Sequence, residues 1–556
     1  MKFQTNVSRD RFLASVLAGF CVAVACLAIP AEKSGEFANG DTWDDDSEDG
    51  GYRIVGDVII TGGTLEISPG VKVGFGGPFK IVVEDDAQCY IGLPNSNTVT
   101  FANAYHQWPN LIGEYQGKWL YIEVITPFAL IYSANFQDGG TFRQDDPTDD
   151  NVGYLILHCY GNDGELGGCE FIGSDQNGIV LVDGFYNPVF DCQITGSGLD
   201  GILVTANKDN EEEGDRCLPE IEECKISDNG QNGIHLVYFS DFFIEQNLIF
   251  GNLLDGILVE SPEISYDSGQ IPNIANNVAY LNGVHGIAVA TDGDVETVER
   301  PHVWNNAVFT NGDIGLAIEV EDNGNGDDDR PKIWNNISWD NDGDGFTIVL
   351  GDADDETNMD DIWFSNNLTG RNRWGINFLN GDPADGSVEY TAFKANGRDI
   401  EVTAWLDETS LRDGDNQENI GLVNIDLVDE FPDADSWDFR LLVDDINPQD
   451  PYSHWNALIN RGDPDTPRDH DWGSSADIGL FGSEKSHLNV DSEMNTMEDY
   501  CLVTDNDYLL MGRYLRSVLW NISDVYRLDD QLVIPQNVTL SLVRGETILS
   551  SLKYSD

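Results

Sequence analysis

Positive charge is what this sequence has least of. Its 556 residues hold 29 Lys and Arg against 99 Asp and Glu, a formal net charge of −70. A surface this acidic excludes nucleic acid as a natural partner, because phosphate binding needs a basic face. It also opposes adsorption to anionic lipid. Cysteine is sparse and scattered, with 9 in the chain. Two of these, Cys21 and Cys26, fall in the N-terminal apolar run, and the seven left over form no disulfide framework. No apolar i, i+3, i+4, i+7 stripe of useful length runs through residues 170–380, so a helical solenoid is disfavoured. The one long apolar run, Phe12–Ile29, follows Lys2, Arg9 and Arg11 and precedes Ala31. Residues 1–31 therefore read as a secretory signal and not as a membrane span. Arg9-Asp10-Arg11 breaks a twin-arginine pair. Ala25-Cys26 is the only trace of a lipoprotein anchor, and Ala23 stands where a large aliphatic residue is expected.

What the chain has is a phrase written eight times between residues 169 and 378. A Gly opens an apolar alternation at Gly178-Ile179, Gly201-Ile202, Gly233-Ile234, Gly256-Ile257, Gly286-Ile287, Gly315-Leu316, Gly345-Phe346 and Gly375-Ile376. The steps are 23, 32, 23, 30, 29, 30 and 30 residues. Nine residues before each Gly, or eight before the last, stands Cys169, Cys192, Cys224, Asn247, Asn277, Asn306, Asn336 or Asn367. A second column five residues later reads Asn229, Asn252, Asn282, Asn311, Asn341 and Asn372. A fixed period with fixed internal offsets means that each repeat is one turn of a stacked array. Period-two alternation after each Gly is the mark of a strand with one buried face. Short strands joined by tight bends then stack with a rise of about 4.8 Å per coil. The Asn columns bond bend backbone and the Asn of the next coil. Gly takes positions of positive φ or close approach between coils. The three cysteines act as small buried side chains in the Asn slot.

These Gly and Asn columns resemble the right-handed parallel β-helix repeats of the pectin lyase-like superfamily, found in secreted bacterial proteins. The resemblance covers most of residues 51–485 and is strongest in 169–378. It implies an all-β fold, a right-handed single-stranded parallel β-helix, for residues 52–485. An acidic flexible linker is expected at 32–51, with order starting at Tyr52. Residues 486–524 read as a partly helical linker, with a helix-capable stretch at 507–519. In 525–556, Tyr526-Arg527, Leu532-Val533-Ile534 and Thr539-Leu540 parallel Tyr52-Arg53, Val58-Ile59-Ile60 and Thr64-Leu65, and Trp520 precedes Tyr526 much as Trp43 precedes Tyr52. This reads as the start of a second entry coil. A truncated frame is favoured over a locally docked hairpin, because an entry coil with nothing above it leaves an open sheet edge.

The superfamily holds lyases, glycosidases, epimerases and non-catalytic surface proteins, so fold alone does not decide function. The paired Asp motif and Gly-His-Gly of its pectin-hydrolysing members, and the Asp-Pro-His-Asp run of its alginate epimerases, do not occur here. The weak catalytic candidates are Arg300 and Arg330, at matching positions of neighbouring coils, and Lys332, which matches His302; ion pairing with acidic loops is the plainer account. Candidate Ca²⁺ ligands are Asp340, Asp342 and Asp344, which open an oxygen-rich loop, and Asp463, Asp465, Asp469 and Asp471. Position twelve of the first loop is Gly351 in place of Glu, and the repeat already accounts for Asp344. Phe250, Tyr280, Phe309 and Trp339 stand three residues after the ladder Asn, and Trp304 and Trp334 two before it. Strand alternation points the first column outward, as an exposed stripe suited to sugar rings; lateral packing beneath the loops is the plainer account. Long acidic insertions at 207–216, 291–300, 321–330 and 351–361 should emerge on one side as an acidic rim. The expectation is a secreted or cell-surface scaffold that binds glycan or surface polymer without catalysis. The alternatives are a Ca²⁺-dependent polysaccharide lyase or related carbohydrate enzyme, and a structural surface protein whose acidity is salt adaptation.

Overall fold

The computed structural model describes residues 30–44, most of 51–402, and short strands at 423–424, 507–510, 518–520, 525–528, 540–542 and 547–550. The main segments outside the description within 51–402 are 110–114, 142–151, 159–163, 206–218, 262–272, 292–301, 321–331, 351–362 and 380–387. The signal segment at 1–29 and residues 446–483 of the expected β-helix also lie outside it.

The chain folds as a right-handed parallel β-helix. Each coil lays down three short strands, and like strands of successive coils pair in parallel. One stack is a 13-stranded sheet; the other two stacks join as a 27-stranded sheet through Tyr52–Ile60, which pairs with both Lys72–Phe75 and Ile81–Val83. The eight Gly-initiated strands make the long sheet, in the register Ile179, Ile202, Ile234, Ile257, Ile287, Leu316, Phe346, Ile376. These residues and their partners two positions on form one continuous core with Ile194, Ile226 and Ile249 of the neighbouring stack and Ile221, Ile244 and Ile274 of the third.

Order starts earlier than expected. Ala31–Phe37 and Asp41–Trp43 are strands, paired with Tyr52–Ile60 and Gly63–Ile67, so much of the anticipated 32–51 linker is solenoid. Trp43 is fully buried and stacks on Tyr52, while Lys33 pairs with Asp41 at 2.5 Å. Composition suggested a linker; a single buried Trp and its strand partners outweigh that local acidity. Residues 507–519, expected to include helix, instead carry the strands Asp507–Leu510 and Val518–Trp520. Val525–Leu528 lies between Asp507–Leu510 and Thr547–Ser550, and Trp520 is in register with Leu542. Trp43 is likewise in register with Ile67, and Tyr52 lies between strands on both sides.

Both Asn columns form ladders. In the first, Asn247, Asn277, Asn306 and Asn336 each donate from Nδ2 to Oδ1 of the next at 3.0–3.1 Å, ending at Asn367. In the second, the bonds from Asn229 to Asn372 run 2.9–3.1 Å. The Gly expectation resolves to one of its two reasons. None of the repeat glycines has positive φ. A Cβ on Gly286 would lie 2.7 Å from the Gly315 oxygen and 2.8 Å from Asn311 Nδ2, so Gly permits close approach of coils. The left-handed residues come just before each ladder Asn: Gln246, Asn276, Asn305, Asn335 and Asn366 in one column, and Asp228, Leu281, Thr310, Asp340 and Arg371 in the other.

Candidate functional site

The aromatic column is not an exposed stripe. Phe250, Tyr280 and Phe309 stack face to face at 5.0 and 5.1 Å, one coil apart, and Phe309 is in register with Trp339. Tyr280, Phe309 and Trp339 are 8%, 3% and 2% exposed. Trp339 lies against Gly370, whose added Cβ would meet the indole at 2.3 Å, and Arg371 sits 5.8 Å above the ring. The expectation of an open sugar platform is thus corrected. Alternation places these rings outside the coil, but the short coil rise makes them each other's partners and covers the faces of Tyr280, Phe309 and Trp339. Trp304 and Trp334 stack likewise at 5.7 Å, with His302 edge-on to Trp334 at 5.3 Å. Trp304 is 6% exposed and Trp334 half-buried.

The metal expectation fails for its first set. Asp340 and Asp342 are exposed, while Asp344 is buried beside the long sheet. Asp340 takes the left-handed bend position and Asn341 turns into the ladder, so the three carboxylates diverge. Among the described residues no group of three His, Cys, Asp or Glu converges to hold a metal ion. Arg300, Arg330, Asp463, Asp465, Asp469 and Asp471 lie outside the described residues, as do the acidic insertions apart from Thr291. Lys332 is described, half-buried and in register with His302 and Trp363.

The outer face of the long sheet carries chemistry that the repeat had concealed. Its first outward row reads Val180, Leu203, His235, Leu258, Ala288, Ala317, Thr347 and Asn377; the second reads Val182, Thr205, Val237, Glu260, Ala290, Glu319, Val349 and Leu379. The N-terminal part of the first row is a buried apolar cluster with Ile156 and Tyr121. Two polar stations follow, with alanines between them.

At the first station His235 Nδ1 lies 3.0 Å from Asp200 Oδ2, and Nε2 lies 3.3 Å from Glu260 Oε2. The Asp200 carboxylate is 5% exposed and the Glu260 carboxylate 52%. The Asn232 backbone N–H and Nδ2 both donate to Asp200 Oδ1 at 2.9 Å, which fixes that carboxylate. Burial works against a charged His235 ring, but the bond and charge of Asp200, and then of Glu260, outweigh it and hold its pKa above the ordinary value. Asp255, in the same bend column, is pushed up by burial. At the second station Asp344 Oδ2 accepts from Thr347 Oγ1 at 3.1 Å and from Asn377 Nδ2 at 2.7 Å. Arg373 lies 4.4 Å over the ring of Trp374, which stands one coil beyond Asp344 in the bend column.

Sequence reasoning missed His235, Glu260, Thr347, Asn377 and Arg373 because attention followed the regular columns. The available signal was a polar residue at an outward strand position whose counterparts in other coils are Val, Leu or Ala. Asp200 was visible but read only as a bend residue.

Comparison with known proteins matches residues 155–325 to the family described as right handed beta helix region. No curated protein matches the chain. Similar solved structures include the periplasmic alginate epimerase AlgG, 16% identical over 63% of this chain and 77% of that one, TM-score 0.39. The Azotobacter vinelandii mannuronan C-5 epimerase AlgE6 A-module is 13% identical over 71% and 92%, TM-score 0.28. The pectate lyase Pel9A is 12% identical over 82% and 97%, TM-score 0.32. At such values no residue role transfers. Residues 155–325 are a right-handed β-helix region, and the same parallel coiling continues on both sides of it.

Proposed function

We propose that this chain is a secreted or cell-surface β-helix whose long-sheet outer face binds a linear glycan. One observation supports the reading above the others. Between the His235 and Thr347 stations the first outward row falls from Leu258 to Ala288 and Ala317, and the second sets Ala290 between Glu260 and Glu319, a shallow trough edged by carboxylates along the helix axis. Four coil steps separate the stations, roughly 19 Å at the strand spacing, enough for several sugar units laid lengthwise. The stations are rich in acceptor oxygens, which suit hydroxyl donors. Five long segments, 206–218, 262–272, 292–301, 321–331 and 351–362, each follow the C-terminal end of a strand of this sheet. The binding face is thereby moved from the aromatic columns to the trough. A glycan array on the full chain tests the reading. Ala317→Trp, which fills the trough from the solvent side, should abolish whatever binding is found. An array with no bound glycan, or unchanged binding by Ala317→Trp, overturns it.

A catalytic reading of the same face is favoured by the oriented His235. Asp200 holds Nδ1, and Nε2 faces the half-exposed Glu260 carboxylate at 3.3 Å, a contact that must open before Nε2 can serve as a general base. Unsaturated uronate product, followed by ultraviolet absorbance on polyuronide substrates and lost in His235→Ala, would replace the scaffold reading with a lyase.

A further inference from the structure

Asp344, Thr347 and Asn377 present an imbalance of hydrogen-bond chemistry. The three side chains belong to residues 6%, 3% and 4% exposed. One carboxylate oxygen, Asp344 Oδ2, receives both available donors, Thr347 Oγ1 and Asn377 Nδ2. The other, Asp344 Oδ1, is buried with no hydrogen-bond partner, and so is the Asn377 amide oxygen. Two buried acceptors that receive no donor are costly as they stand. Asp313 on the preceding coil adds negative potential at Asp344, which the exposed Arg373 offsets in part. Carboxylate, amide and hydroxyl oxygens are hard donors, the kind that Ca²⁺ and Na⁺ prefer.

We propose that Asp344 Oδ1, Asn377 Oδ1 and Thr347 Oγ1 supply the protein oxygens of a hard-cation site on the long-sheet face, with water completing the shell. The site differs from the diverging Asp340, Asp342 and Asp344 set, since two of its three ligands are neutral and come from strands. The site occupies the second polar station of the trough, and its test reads bound metal alone, so its failure and the failure of the glycan reading are distinguishable. Trp374, beside Asp344 on the next coil, gives the site a built-in reporter.

The full chain is titrated with Tb³⁺, exciting tryptophan and reading sensitised terbium emission. A saturable component is expected. Asp344→Asn should weaken it by at least ~10-fold, the cost of losing even an outer partner of a bound ion. Asn377→Asp, which adds a carboxylate, should tighten it. Asp342→Asn should leave it unchanged, and Trp374→Phe should dim the emission without altering the midpoint. Competition at constant ionic strength separates the sources: displacement by Ca²⁺ alone assigns a divalent site, displacement by Na⁺ also a monovalent one. The proposal is overturned by a titration indifferent to Asp344→Asn and Asn377→Asp, which would leave a bridging water as the occupant.

Discussion

At Cys224 the ladder changes chemistry without changing place. The Cys224 backbone N–H donates to Asn247 Oδ1 at 2.9 Å, as each ladder Asn does to the next. Its thiol points to the Glu222 oxygen at 3.2 Å and the Val189 oxygen at 3.6 Å, weak versions of the bonds an Asn amide makes. Burial pushes the thiols of Cys169 and Cys224 well up, so they remain neutral donors. Cys224→Asn should extend the ladder by one rung and raise stability by about 1 kcal/mol, the net value of a hydrogen bond. Urea unfolding checks this, and a loss of stability would show that the cysteine coils are too narrow for an amide. A second residue-scale prediction concerns Leu281, which is 49% exposed and holds φ 54°. A left-handed conformation costs an L-residue about 1–2 kcal/mol. Leu281→Gly should therefore stabilise the fold by roughly half of that, after the entropy Gly adds to the unfolded chain; a destabilised variant would mean that the exposed Leu packs on a neighbour.

Among the elements, the long sheet owes its close coil packing to the glycine that opens each strand. Gly315 is bracketed by the Ser338 hydroxyl, by Asn341 Nδ2 at 2.7 Å and by the Gly345 oxygen at 2.7 Å from an added Cβ, the two side chains being held in buried hydrogen bonds. Gly315→Ala should cost about 1–3 kcal/mol through overpacking against backbone and hydrogen-bonded side chains, measured by thermal unfolding. A neutral outcome would mean the coils can slide apart. The 13-stranded sheet carries a different strain. Glu222 is pushed up to about 7, first by burial and then by Glu220, with Glu245 and Glu223 adding to it. Its folded form holds a proton across the window from the ordinary value of 4.5 to about 7, where the unfolded chain has lost it. Stability from this group is complete below that window and falls as pH rises through it. Glu222→Gln should flatten the decline in unfolding free energy between acid and neutral pH; an unchanged slope would show that Glu222 is not the group responsible.

At the scale of the molecule, the chain carries a charge of −70, and self-repulsion opposes folding until salt screens it. The thermal midpoint should climb as NaCl is raised toward molar concentrations, with chelator having no effect on that general trend. A midpoint indifferent to salt would contradict a purely salt-adapted surface. Among the described residues no helix is long and apolar enough to cross a membrane.

Repeat, strand period, Asn ladders and buried columns were legible by themselves, because each is a local pattern whose meaning recurs in every coil. The register of Gly286 with Gly315, or of Asn277 with Asn306, needs only a count along the chain. The face chemistry was not legible in that way. His235 meets Asp200 across 35 residues and Asp344 meets Asn377 across 33, contacts that exist only once coils are stacked. Alternation correctly sent Tyr280 and Trp339 outward, yet could not say that stacking one coil apart would bury them. Sequence alone decided that this chain coils, and how often. Only the tertiary structure decided which outward side chains become one another's neighbours, since the coil rise brings residues about thirty positions apart within van der Waals reach.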